Sequence, residues 1–168
     1  MLGRNRRFLS DPPNQSGQAL VELGLVLPMV LLLMLGVIEL GRYAYISILV
    51  GNAAQAGAAY GAQSLGQAKL SNNPDIATAA KNDFGSNGFS QSMLNVTSLT
   101  TCGCDIGGTV AADTAANCVP TTPPPCAGNW AVTIHVTADG NFDGLFRYPG
   151  IPTPLVISRT ASMRVAKR

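Results

Sequence analysis

Charged residues are scarce in this sequence, and the scarcity excludes several classes of protein. Only 12% of the 168 residues are Asp, Glu, Lys or Arg, about half the share of ~25% that is usual in globular domains. The net charge of +2 is too small to indicate a nucleic-acid-binding surface, and no basic stripe is interleaved with aromatic residues. The length leaves room for one modest domain besides a membrane segment.

Residues that carry catalytic chemistry are equally few. His135 is the only histidine, and no matched nucleophile lies near it in the sequence. There is no nucleophile elbow, no phosphate-binding Gly-Lys loop and no set of His and Glu residues with metal-ligand spacing. We therefore predict a protein that is not an enzyme and that needs no metal or cofactor. His135 is expected to be a surface or cross-strand residue.

A long apolar run lies between Glu22 and Glu39. Its sixteen residues carry no charge and cover roughly 24 Å as a helix. Extended to about residues 20–42, the run crosses a hydrocarbon core of about 30 Å. A helix that is apolar on every face needs lipid or a large core around it, and this chain is too short to supply that core. No small-x-small cleavage site follows the run, so we predict a transmembrane helix rather than a cleaved secretory signal.

Four residues distinguish this run from a plain membrane anchor. Glu22 places a carboxylate at its start, where burial in lipid costs less than the ~2.5–3.5 kcal/mol of a helix centre but still indicates a function. Pro28 removes the hydrogen bond to the carbonyl of Gly24 and favours a kink. Glu39 and Arg42 are three residues apart and are expected to pair along the helix.

The orientation follows from three arginines before the run. Arg4, Arg6 and Arg7 form a basic cluster that stays on the cytoplasmic side. Arg42, on the far side, weakens this asymmetry without reversing it. The C-terminal part of the chain is then exported, which in a bacterium means to the periplasm or beyond.

The sequence around the run resembles that of a known family. It reads GQALVELGLVLP over residues 17–28 and GVIELGR over residues 36–42, which is similar to the N-terminal signature of the TadE-like family. These proteins are pseudopilins of the tight-adherence (Flp) pilus system of bacteria. The C-terminal end looks similar too, with a strand, an aromatic-glycine-proline loop and a final strand that contains the sequence ASMR at residues 161–164.

The resemblance implies roles for the residues at the start of the run. Residues 1–17 are a leader that a prepilin peptidase cleaves between Gly17 and Gln18, so that Glu22 is the fifth residue of the mature chain. Glu22 then neutralises the new amino terminus of a neighbouring subunit. Flp-type major pilins have a tyrosine after this glutamate; here Leu23 follows, which suits the minor, TadE-like class.

The helix is predicted to continue well past the membrane, giving a helical region of residues 18–66. Residues 46–63 contain no proline and no charge, and small residues recur every four positions at Ala53, Gly57 and Gly61. Such rows let helices approach closely. Spacing alone leaves two interpretations open, packing with other subunits and packing against the protein's own domain.

Residues 67–168 are predicted to form a small exported domain. The sequence Asn73-Pro74-Asp75 is a helix-start signal and predicts a short helix over residues 75–84. β-branched or alternating residues predict strands, over residues 93–101, 130–138 and 155–165. A turn is expected at residues 139–141 and an irregular loop at residues 142–154. Arg159 falls on the apolar face of the last strand and requires a bulge, an edge position or a partner.

The four cysteines all lie in this domain, at positions 102, 104, 118 and 126. An even number of cysteines in an exported, loop-rich segment indicates disulfides. Cys102 and Cys104 are too close to pair easily with each other, so each is expected to pair with Cys118 or Cys126 in an order that stays open. A four-cysteine zinc site is the rival, but C-x-C…C-x7-C does not match its usual spacing.

These features predict an α+β protein, with a long N-terminal transmembrane helix followed by a small disulfide-bearing domain that has an antiparallel sheet and a short helix. The resemblance implies a pilin-like assembly subunit in the bacterial inner membrane or in the pilus outside the cell. It also implies its partners: other pilins and pseudopilins, the prepilin peptidase and the inner-membrane assembly platform, besides the lipid bilayer. The alternative is a membrane-tethered binding or adhesion module without prepilin processing.

Overall fold

The computed structural model describes residues 16–68, 72–106, 109–110, 129–146, 150 and 153–165. The predicted leader, residues 1–17, lies outside them except for its last two residues. Within the described part the helices are α1, α2 and α3, which span Ser16–Gly61, Leu65–Ala68 and Pro74–Ser86. The strands are β1, β2, β3 and β4, which span Leu94–Ile106, Thr109–Val110, Asn129–Phe142 and Leu155–Arg164. The predicted α+β class, with a long apolar helix, a short helix and an antiparallel sheet, is confirmed.

The strands form one antiparallel sheet in the order β2-β1-β3-β4. The central strand β3 pairs with β1 on one side and β4 on the other, with Val136 opposite Ser98 and Ala161. The alternation read from the sequence is present, because Val132, Ile134, Val136 and Ala138 all point to the buried face. The sheet therefore has one apolar face and one face of mainly polar residues.

The buried face of the sheet is covered by α3 and by the C-terminal part of α1. Ile46, Val50 and Ala53 of α1 are buried at the three- and four-residue spacing of one helix face. They share one core cluster with Phe84 of α3 and Leu94 of β1. Burial of each such large side chain contributes about 1.5–3 kcal/mol to folding, so these contacts bring α1 into the core of the domain.

The predicted start of the short helix is confirmed by its cap. The Asn73 side chain accepts a hydrogen bond from the Asp75 backbone N–H at 3.0 Å, and Pro74 occupies the first helical position. The Asn73 backbone N–H also donates a hydrogen bond to the Ser98 hydroxyl, at 3.2 Å. The cap residue thus positions α3 against strand β1. The helix ends at Ser86, before Gly88 at φ +85°.

The turn predicted at residues 139–141 is wrong. Strand β3 runs through this segment to Phe142, with Asp139 opposite Asn95 and Asn141 opposite Val156. The glycine that indicated a turn has another physical reason. A Cβ at Gly140 would lie 2.5 Å from Cγ2 of Val50, so the strand needs a glycine where α1 crosses it.

The chain divides into two compact units, Met1–Leu40 and Gly41–Arg168. The part of α1 after residue 40 packs in the core of the second unit. The domain bounds predicted from the sequence, residues 67–168, stay a prediction. Strand β1 is longer than predicted and reaches through Cys102 and Cys104.

The position of Arg159 resolves the question raised by its sequence pattern. β4 is an edge strand of the sheet among the described residues. The Arg159 guanidinium donates a hydrogen bond to the hydroxyl of Ser47, which is 8% exposed on α1. An edge position and a partner on the helix together accommodate this charge on the apolar face.

Candidate functional site

The N-terminal part of α1 exposes its whole circumference. Every residue from 17 to 34 is exposed, which is five turns of helix and so includes every direction. Leu20, Met29 and Leu32 are 70–74% exposed. By length and composition α1 is apolar enough to cross a membrane, and its most apolar stretch is not covered by the described chain. Such a surface requires lipid or other helices around it.

The residues that the sequence singled out in this segment share one environment. Gln18 and Glu22 are exposed on the first turns of α1. Pro28 lies inside the helix, and α1 continues on both sides of it. A Cβ built at Gly17 or Gly24 meets nothing within 4 Å, so these glycines are not required by packing within the described chain.

Arg42 and Tyr43 lie just after the apolar segment and contact the end of strand β3. The Arg42 guanidinium carbon lies 5.5 Å from the centroid of the Phe142 ring. Tyr43 meets the same ring edge-on, with the centroids 5.7 Å apart. These contacts pack the turn of α1 that contains Arg42 and Tyr43 against the sheet. Glu39 belongs to the other unit of the chain, and its pairing with Arg42 stays a prediction.

The row of small residues at Ala53, Gly57 and Gly61 lies inside the domain. All three are buried. A Cβ at Gly57 would lie 3.1 Å from Cγ1 of Val136, and a Cβ at Gly61 would lie 2.8 Å from Cδ1 of Ile76. Of the two interpretations that spacing left open, these contacts correspond to packing of α1 against the protein's own sheet and α3.

The first two cysteines lie on strand β1, opposite β3. Cys102 pairs in register with Val132, and Cys104 with Trp130. Cys102 is buried, and neither cysteine is a free thiol. The other two, Cys118 and Cys126, lie outside the described residues, so the predicted pairing scheme stays a prediction.

His135 bridges three strands on the polar face of the sheet. Its Nε2 lies 2.9 Å from the hydroxyl of Thr101 on β1, and its Nδ1 lies 2.7 Å from the hydroxyl of Ser162 on β4. This agrees with a cross-strand role. In the part of the chain that the structure describes, no group of three or more His, Cys, Asp or Glu residues is placed to hold a metal.

A comparison with known families relates α1 to one of them. A family model described as TadE-like protein matches residues 17–59. Over these residues, the N-terminal part of the chain is similar to the TadE-like family. The TadE-like match covers nearly all of α1, both the part that exposes its apolar surface and the part that packs in the domain. No curated protein and no solved structure matches the chain.

The TadE-like match indicates what the N-terminal part of the chain is similar to. The family is a structural, pilin-like family of the tight-adherence pilus rather than an enzyme family, and α1 is a candidate membrane span. Gly17, Gln18 and Glu22 stand at the start of the TadE-like match. The sheet and the cysteines lie beyond its end at residue 59.

Sequence reasoning missed two contacts that hold the domain to α1. The first is Phe142 against Arg42 and Tyr43, and the second is Arg159 to Ser47. Phe142 follows closely after an alternating strand, which was a signal for its contact with Arg42 and Tyr43, but the sequence analysis assigned it to a loop. For the contact of Arg159 with Ser47, the sequence offered one signal, the charge of Arg159 on the apolar face of the last strand.

Proposed function

We propose that the protein is a minor pilin-like subunit that assembles laterally through the N-terminal part of α1. The observation that supports this most is the exposure of every residue from 17 to 34. The described domain covers α1 only in its later part, where Ile46 and Val50 are buried. The earlier part is therefore available to lipid in the membrane and to other helices in an assembly.

The first step is cleavage by a prepilin peptidase between Gly17 and Gln18. This bond lies in the first turn of α1, which begins at Ser16. Helix ends have unpaired backbone groups and open easily, so the bond is accessible without unfolding of the domain. Cleavage leaves a positive amino group on Gln18.

Glu22 then receives the amino terminus of a neighbouring subunit. The two groups are four residues apart in one chain, or about 6 Å of helix rise. Two parallel helices that are staggered by this distance bring the amino group of one level with the carboxylate of the other. An isolated carboxylate in lipid is costly and a paired one much less so, so the pair favours one register of assembly.

Glycines on the exposed part of α1 permit close contact between such helices. Gly24 and Gly36 have open space where a Cβ would stand, and small residues at a helix surface let backbones approach in lipid. Pro28 leaves the carbonyl of Gly24 without its helical donor, which adds an acceptor to the same surface.

Replacement of Glu22 tests the assembly role. Glu22→Gln keeps the size of the side chain and removes the charge, and Asp83→Asn in α3 is the control that removes one carboxylate from the domain. We expect the Glu22→Gln protein to be inserted and processed but not recovered with the pilus, whereas the Asp83→Asn protein is recovered normally. Normal pilus incorporation of Glu22→Gln would contradict the proposal and favour the tethered binding module.

The exported domain is proposed to face the periplasm with its cysteines in two disulfides. The arginine cluster at Arg4, Arg6 and Arg7 sets this orientation, and an oxidising compartment preserves disulfides. In intact cells with a permeable outer membrane, we expect a membrane-impermeant thiol reagent to label the protein only after reduction. Labelling before reduction would contradict the disulfides, and no labelling after reduction would contradict the orientation.

A further inference from the structure

We propose that the end of the domain at Phe142 is a second membrane contact, at which Leu145 and Phe146 insert into the interface of the outer leaflet. This inference rests on the proposed membrane span of α1. It adds to that span a contact made by the folded domain, and it commits to the phospholipid surface as the partner.

The first argument is the position of Phe142 along the chain and in the fold. Tyr43 lies three residues beyond Leu40 on α1, about 4.5 Å of helix rise. The Tyr43 ring contacts Phe142 with 5.7 Å between the centroids. Tyrosines are enriched at the headgroup level of membranes. Because Tyr43 directly follows the proposed span of about residues 20–42, it lies at the boundary of the bilayer together with Phe142, which it contacts.

The second argument is the distribution of exposed apolar side chains. In the described part of the unit Gly41–Arg168, six large hydrophobic residues are exposed: Tyr45, Ile48, Leu99, Leu145, Phe146 and Val156. Tyr45 and Ile48 follow Tyr43 on α1, and Val156 is paired with Asn141 next to Phe142. Five of the six are thus on the segments that meet at Phe142, and only Leu99 is far along the sheet.

The third argument is the loop that follows Phe142. Leu145 is 57% exposed and Phe146 is 45% exposed, so the loop presents two large apolar side chains outside the core. Phe146 is four residues beyond Phe142, which limits their separation to about 14 Å. Asp143 is exposed on the same loop, and its carboxylate has to remain in the hydrated headgroup layer while the apolar pair enters deeper.

The contact has a consequence for the domain. A single span leaves the tilt of the domain against the bilayer unrestrained, whereas a second contact with lipid limits that tilt. The face that carries His135, Thr137 and Ser162 would then be held in one orientation for meeting other pilus components.

The test places a fluorescent reporter in the loop of the full-length chain. Phe146→Trp, with Leu145→Trp as a second reporter, is reconstituted into phosphatidylcholine–phosphatidylglycerol vesicles with and without bromine on the acyl chains. The control is Leu99→Trp, because Leu99 is 51% exposed but lies opposite His135, away from Phe142. Trp130 is present in all variants and contributes the same background.

For both loop reporters we expect a blue shift of the emission in vesicles and a loss of emission when the vesicles are brominated. We expect neither change for the control, Leu99→Trp. An alkaline wash of the vesicles tests the span separately. If the protein resists the wash but its loop reporters are quenched no more than Leu99→Trp, the second contact is overturned and the span is left intact. Release of the chain by the wash would overturn the span and this contact together. A blue shift that follows the protein-to-lipid ratio, without bromine quenching, would assign the loop to a second copy of the chain.

Discussion

Val50 of α1 lies directly against Gly140 of β3. A Cβ at Gly140 would lie 2.5 Å from Cγ2 of Val50, which is closer than two non-bonded carbon atoms can approach. This contact is the point at which α1 crosses the central strand of the sheet. It explains why strand β3 contains a glycine at this position.

Gly140→Ala is therefore expected to destabilise the domain. Overpacking of this kind costs about 1–3 kcal/mol, measured as a lower denaturation midpoint of the solubilised chain. Gly51→Ala is the control, because a Cβ there meets nothing within 4 Å and alanine stabilises a helix by about 0.5–1 kcal/mol over glycine. The addition of Val50→Ala to Gly140→Ala should recover part of the loss. Strictly additive effects of the two changes would show that the residues do not meet.

The glycines of α1 are predicted to fall into two groups. Gly61→Ala should lower the stability of the domain, because the added Cβ would lie 2.8 Å from Ile76 and 3.1 Å from Ile134. Gly36→Ala should leave the domain unchanged, since nothing lies within 4 Å of its Cβ. Denaturation midpoints of the two variants test this division. Equal losses would mean that the row at Gly57 and Gly61 is not specific to packing in the domain.

The hydrogen bond from Arg159 to Ser47 is predicted to couple the edge strand to α1. A hydrogen bond to a charged donor is worth about 1.5–3 kcal/mol when largely buried, and partial exposure of Arg159 reduces this to about 1 kcal/mol. A double-mutant cycle of Arg159→Met and Ser47→Ala isolates the coupling from the effects of each change alone. A coupling energy within error of zero would mean that the bond does not hold β4 to the helix.

The local features of the fold could be predicted from the sequence, and the long-range ones could not. The alternation at Ile157, Ala161 and Met163 gave the correct face of β4, and the cap at Asn73 gave the correct start of α3, because both depend on neighbouring residues. The segment around Gly140 was read as a turn because its composition is that of a turn. Its true constraint is Val50, which is distant in the sequence.

The candidate site shows the same division. The apolar run and Glu22 could be recognised from the sequence, because a helix surrounded by lipid needs apolar residues at every position and a charged residue there stands out. The row at Ala53 and Gly57 was ambiguous, since a close helix neighbour requires small residues whether it is another subunit or the protein's own sheet. Only the fold shows that Val136 and Ile76 lie against this row.

The central claim, processing as a pilin-like subunit, is tested most directly by the N-terminal residue of the protein recovered from cell membranes. Intact mass and peptide sequencing identify this residue without any variant. The account predicts Gln18, or its pyroglutamate form, at the start of the mature chain, with Glu22 at the fifth position. A chain that still begins at Met1 in cells with an active prepilin peptidase would contradict the account.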